Sequence, residues 1–193
     1  MAMVPTTYSE LIVTNTGWFG SHFAQLANGV AVGFTSYLVS HPLNLVTTLD
    51  AGAPGAGVGN GTLLVPTASV PVLVGLLEAN LRGQSIIGSQ LSQFTQGLAS
   101  ATCVHLATAQ TLTSHSSVGA GAGVGSIVGV EPVGLAAAIN TVTGFTGPQW
   151  AQVVAGISIA FATFLTTNVK YTVVISGPAG PGAASGSGFG RIF

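Results

Sequence analysis

Three segments of the 193-residue sequence carry the same landmarks in the same order. GSHFAQLANGVAVGFTSYL begins at Gly20, GSQLSQFTQGLASATCVHL at Gly88 and GPQWAQVVAGISIAFATFL at Gly147. Each opens on glycine, has glutamine five residues on (Gln25, Gln93, Gln152) and glycine again at the tenth position (Gly29, Gly97, Gly156). Ahead of them stand Pro5, Pro71 and Pro132, each followed twelve residues later by glycine: Gly17, Gly83 and Gly144. Internal repeats of this kind decide the architecture, because each unit is one supersecondary block that buries its apolar face only against its neighbours. The units run 1–70, 71–131 and 132–193 and together form one compact domain.

Within a unit, proline suits the first helical turn, where its missing N–H costs nothing, and glycine suits the position that ends a helix. The spacing predicts short helices over 5–17, 71–83 and 132–144. The segment after each is longer and amphipathic. In the third unit Trp150, Val153, Val154, Ile157, Phe161, Phe164 and Leu165 recur with helical period. Phe23, Val30 and Phe34 repeat that stripe in the first unit, and Leu91, Phe94 and Leu98 in the second. The opposite face is small: Ala151, Ala155, Ser158, Ala162 and Thr163. The period then changes. LVTTL, AQTLT and KYTVVIS read as strands, and the glycine-rich runs after them read as loops from which TLLV, SIVGV and GRIF return. The expected fold is α+β and predominantly helical. Its three repeats, each a short helix, a long amphipathic helix and a Gly-rich β-hairpin, surround a pseudo-threefold axis.

Charge narrows the function. Only 4% of residues are Asp, Glu, Lys or Arg, and three basic residues cannot line a phosphate-tracking surface, so nucleic acid is not an expected partner. Stretches 11–49, 83–130 and 132–169 contain no charge at all. Residues 150–169 come nearest to a membrane span, yet Gln152, Ser158, Thr163, Thr166, Thr167 and Asn168 interrupt them, and the bulky residues form a stripe. A buried helix is the better reading. A soluble chain with so little surface charge tends to associate, so other protein subunits of a large assembly, copies of itself among them, are the expected partners. MAMVPTTYSE has no basic n-region, and secretion by a signal peptide is not expected.

Candidate chemistry is thin. His22, His41, His105 and His115 occupy non-equivalent places in the units. Cys103 and His105, two apart, do not face each other on a helix, and Cys103 reads as a small buried residue. Glu10, Asp50, Glu78 and Glu131 show no pairing that sequence can supply, while Glu78 and Arg82 are spaced for a surface ion pair. GSGFGRI lacks the Gly-Lys-Ser/Thr of a phosphate loop. Asn60-Gly61-Thr62 is read as an incidental glycosylation sequon. No catalytic, cofactor-binding or metal-ligating residue is assigned, no cofactor is expected, and the chain is read as a non-enzyme. An enzyme site from His41, His115 and a carboxylate would need those groups to converge. The residues singled out for packing or interface are Phe23, Val30, Phe34, Leu91, Phe94, Leu98, Trp150, Ile157, Phe161 and Phe164.

The charge-poor Gly/Ala/Thr/Val composition, the repeated Pro…Gly…Gln blocks and the terminus GSGFGRIF together resemble small structural proteins of tailed-bacteriophage virions. That resemblance implies a non-enzymatic component of a large symmetric assembly. Its place would be the tail, baseplate or spike region, or a capsid decoration or cement layer, assembled in the host cytoplasm and carried in the virion. The alternative is a pore-forming or membrane-disrupting protein that uses its charge-free helices.

Overall fold

A computed structural model describes the backbone of residues 4–40, 46–53, 56–63, 69–115, 120–176 and 184–192, and side chains over 4–40, 69–109 and 127–169. The order of elements is α1 (Pro5–Thr16), α2 (Ser21–Ser40), β1 (Val46–Ala53), β2 (Ala56–Leu63), α3 (Ser69–Gly83), α4 (Leu91–Thr108), β3 (Gln110–His115), β4 (Ala120–Val128), α5 (Pro132–Thr143), α6 (Pro148–Asn168), β5 (Lys170–Ser176) and β6 (Ala184–Ile192). The chain is predominantly helical, as its periodicity predicts.

Two of the short helices begin and end where their landmarks stand. α1 and α5 have Pro5 and Pro132 in the first turn and close on Gly17 and Gly144 in the left-handed conformation, φ 66° and 64°. α3 departs from the expectation. It starts at Ser69, two residues before Pro71, which still lies in the first turn, where backbone N–H groups have no helical partner. Gly83 is its last helical residue. The left-handed position belongs to Ser85, φ 62°, with Ser85 N–H donating to Arg82 O (2.9 Å) and Ile86 N–H to Leu81 O (2.9 Å). This pair of bonds is a Schellman ending, built on a serine where glycine is usual.

The helices form a closed ring. α1 packs on α2, α2 on α3, and so on to α6, which packs back on α1. Each short helix buries one ridge at i, i+4, i+8: Tyr8, Ile12, Thr16; Leu73, Leu77, Leu81; Leu135, Ile139, Thr143. Opposite each ridge lies a long helix with a glycine at the crossing. A Cβ on Gly156 would stand 2.8 Å from Thr16 N and 2.9 Å from Thr16 Cα. On Gly29 it would stand 3.1 Å from Leu81 Cα, and on Gly97 2.3 Å from Thr143 Cγ2 and 3.3 Å from Thr143 N. The expected small face therefore divides. Ser158 and Ala162 are buried, Ala151 and Ala155 are exposed, and the closest approach is made by Gly156 instead. Two of the repeated glutamines secure these crossings: Gln152 Nε2 donates to Thr16 O (2.7 Å) and Gln93 Nε2 to Thr143 O.

The strands close a six-stranded antiparallel barrel in sequence order. This differs from the expectation of loose hairpins with glycine loops, because most of the glycines lie inside strands. Gly57, Gly59 and Gly61 alternate along β2, Gly121, Gly123 and Gly125 along β4, and Gly186, Gly188 and Gly190 along β6. The register explains them. Asp50 pairs directly with Gly186, but the ladder Asp50–Gly59–Thr113–Gly125–Tyr171–Ile192 arrives six residues further along β6. Six strands with a shear of six make a backbone cylinder of about 6 Å radius, too narrow for a full side chain from every strand in each layer. The pairings put all three glycine rows on one face, and Ile127, next in the β4 row, is fully buried. That face is the inner one.

Gly156→Ala is expected to destabilise by about 1–2 kcal/mol, the crossing strain exceeding a helix-propensity gain of about 1 kcal/mol. Gly97→Ala should cost less, because the nearest atom at both sites is a threonine methyl at 2.3 Å but the backbone stands 3.3 Å away at Gly97 against 2.8 Å at Gly156. Urea midpoints read the difference, and equal losses would contradict the crossing geometry. Ser85→Gly should gain about 1 kcal/mol by relieving the left-handed serine.

Candidate functional site

The long helices run into the barrel at their C-terminal ends, through buried Ala109 and Val169 in the second and third cases. Being 18 to 21 residues long, they carry the connections between short and long helices about 30 Å away, at the other end of the ring. Those connections are Gly17–Gly20, Gln84–Gln90 and Gly144–Gly147, and each holds apolar residues beside its glycines: Trp18 and Phe19, Ile86 and Ile87, Phe145. The first turns of the long helices add Phe23, Leu91 and Trp150 directly beneath.

The result is an apolar face with grooves between its ridges. One groove of 480 Å³ lies between Trp18, Phe19, Phe23 and Ile86, and one of 420 Å³ runs from Ile86 and Leu91 to Phe145 and Trp150. Trp18 packs on Phe23 with ring centroids 5.7 Å apart, and Trp150 meets Phe145 at 5.0 Å and Phe94 at 5.9 Å, both edge-on. Phe19 is 85% exposed and Ile87 77%. Among the described residues, no Asp, Glu, Lys or Arg lines these grooves, and His22 is the single titratable group there. Its exposed apolar area makes this face the candidate site.

The sequence-selected residues divide by height. Phe23 and Trp150 are half-buried at this face, with Leu91 and Phe94 just below it. Val30, Phe34, Leu98, Ile157, Phe161 and Phe164 lie in the chain's own core, so intrachain neighbours cover the deeper part of the stripe and no partner reaches it. Trp18, Phe19, Ile86, Ile87 and Phe145 went unselected, although apolar residues trapped between helix-ending and helix-starting glycines were a usable signal. Apart from Ile127 and Val128, the β-strand side chains lie outside the described residues.

The chemical candidates do not converge. His105 Nδ1 lies 3.1 Å from Ala101 O on its own helix, and its Nε2 faces Gly134. His41 and the side chain of His115 lie outside the described residues. Among the described residues, no three His, Cys, Asp or Glu side chains are grouped as metal ligands would be. Glu78 and Arg82 form the expected i,i+4 pair at 3.8 Å, and Thr95 Oγ1 donates to Glu78 Oε1 (3.2 Å). Buried Cys103 Sγ lies 3.8 Å from Tyr37 Oη, and burial pushes both the thiol and the phenol up. Tyr8 is fully buried against Phe34, Phe161 and Phe164, its hydroxyl has no hydrogen-bond partner, and desolvation drives its pKa far above the ordinary value.

These phenols set an alkaline limit. A raised folded-state pKa means that the protein favours the neutral phenol, so the contribution is complete below the unfolded value of 10.0 and is lost as pH rises above it. Thermal stability should therefore fall from about pH 10 upward. Tyr8→Phe should blunt that fall and leave neutral-pH stability unchanged or slightly higher, since the hydroxyl has no partner to lose. A steeper alkaline fall in Tyr8→Phe would contradict this assignment.

No protein family model, curated protein or solved structure matches the chain.

Proposed function

We propose that this chain is a non-enzymatic structural component of a large symmetric assembly, with a tailed-phage virion the best candidate. In this reading the chain is three repeats about a pseudo-threefold axis. Each repeat is a short helix, a long helix and a Gly-rich β-hairpin, so that one chain can sit on a threefold element of a particle. The observation that carries the reading is the recurrence of one crossing at equivalent places in the ring. Gly29, Gly97 and Gly156 admit the end of a short helix, and Gln93 and Gln152 tie down Thr143 and Thr16. Sequence identity is kept at positions that set shape, while the side chains between them vary. The apolar face supplies a place for another subunit to bind. A tail, baseplate or spike position fits the axis best, and a decoration or cement position is next.

One observation favours the membrane-disrupting alternative. α6 is long and apolar enough to cross a bilayer, with mean hydropathy 1.5. Over half of that window is buried inside the protein, however, and inserting it would dismantle the aromatic core.

The two readings separate without detergent. The chain expressed alone should stay in the supernatant after ultracentrifugation, fail to float with neutral or anionic liposomes, and be found at fixed copy number in purified particles by mass spectrometry. Carbonate-resistant association with liposomes would overturn the structural reading.

A further inference from the structure

We propose that Asp50 and His115 titrate as a coupled pair inside the barrel, a catch that holds the six strands most tightly in mild acid and slackens as pH rises. Strand pairing alone places the two, independently of any contact among the helices.

The register puts both residues on one face. Asp50 pairs with Gly59, and Gly57, two residues along the same row, pairs with His115. Paired residues share a face, as do residues two apart on a strand, so both stand on the face of the glycine rows, the inner one. The register also puts them at one height. A shear of six over six strands is a slip of one residue per strand. Level with Asp50 on β3 is therefore the position two beyond Thr113, which is His115, and on β5 the position four beyond Tyr171, which is Ile175. The adjoining inner layers are all glycine, with Gly57, Gly121 and Gly186 on one side and Gly59, Gly123 and Gly188 on the other. Curvature draws the two strands together. Cα atoms of β1 and β3 come within 8 Å of each other although β2 lies between them.

Charge selects the pairing. Among the described residues of the inner rows, Asp50 is the one carboxylate and His115 the one base, and Tyr171, nearer the helices, is the remaining titratable residue. Lys170 and Arg191, the other charges of the strands, stand in outer rows. Of the helices that pack against the strands, α6 has no titratable residue, and α4 has Cys103 and His105, ten or more residues before His115. A carboxylate inside so narrow a cylinder is costly unless a cation accompanies it, and His115 is the inner-row residue able to supply one. Glycine in both adjoining layers puts no side chain between the two levels. Linkage fixes the direction. With Asp50 ionised, the imidazole keeps its proton more readily in the closed barrel than in the unfolded chain. Its contribution is complete below the unfolded value of about 6.5 and is lost as pH rises through the folded midpoint. Protonation of Asp50 removes it at the acid end.

Imidazole titration of the full chain by NMR tests the proposal, with histidine labelled by nitrogen-15 and His115→Gln identifying the signal. Asp50→Asn should lower the His115 midpoint by about one pH unit or more and leave those of His22 and His105 in place. Urea midpoints give a second reading. The unaltered chain should lose stability between about pH 5.5 and 8, and Asp50→Asn should flatten that loss. At about pH 5.5 the double variant Asp50→Asn/His115→Gln should lose less than the sum of the two single variants, as coupled groups do. A His115 midpoint that Asp50→Asn leaves unmoved overturns the proposal, and so do additive losses in the double variant.

Discussion

The structure depends on how closely two helices can approach where a short one ends. At Gly156 the backbone of Thr16 lies within 3 Å of where a Cβ would be, and at Gly29 the Cα of Leu81 is only slightly further away. That approach brings the last carbonyls of the short helix within reach of a glutamine one turn earlier on the long helix. Gln152 then satisfies Thr16 O, a group the helix end leaves without an internal partner. Glycine and glutamine thus act as one device: the first opens the space and the second supplies the bond. Thr16 and Thr143 complete it by turning their hydroxyls back to Ile12 O and Ile139 O, 2.8 Å each, so that both buried hydroxyls are satisfied at the crossing. With the crossings set, every helix has two neighbours and the ring closes.

The ring then governs the barrel. Three long helices that end around a common axis deliver three strand pairs to one place, and six strands with a shear of six cannot make a wide cylinder. Glycine in alternate positions on β2, β4 and β6 removes half of the side chains that such a cylinder would have to contain. The cost is conformational, since strand glycines lose the most freedom on folding. Closure offsets part of it, because a closed barrel has no unpaired edge and every strand is hydrogen-bonded on both sides.

This division also explains what could be read from the residues alone. Pro5, Gly17, Pro132 and Gly144 act within one helical turn, so their positions were legible. The stripe through Ile157, Phe161 and Phe164 was legible because helical period is local. Ser85 was not, because the left-handed position of α3 is set by Ile86 folding back over Leu81, and a nearby glycine at 83 offered a simpler answer. Barrel closure was not legible either. The glycine rows have period two, the signature of a strand face, but their density reads as loop until the register of five other strands is known. The candidate face fell between two readings. Phe19 and Ile87 belong to no helix stripe, and they come to share one end of the helices only once the ring has closed.

The differences between corresponding helices have a physical role of their own. Phe34 and Phe161 touch at 5.1 Å in the core, and the equivalent position on α4 is Thr102. Tyr8 packs against both phenylalanines and stacks on Phe164 at 5.0 Å, a load that Leu73 and Leu135 on the other short helices do not carry. Likewise Leu81 takes the place held elsewhere by Thr16 and Thr143, and crosses Gly29 with a larger side chain. Three identical units could exchange places, or pair with units of another chain, at little cost in energy. Unequal core residues remove that degeneracy, because α1 packs well only between α6 and α2, and α3 only against α2 and α4. Regular backbone crossings with irregular cores specify one order of the helices around the ring.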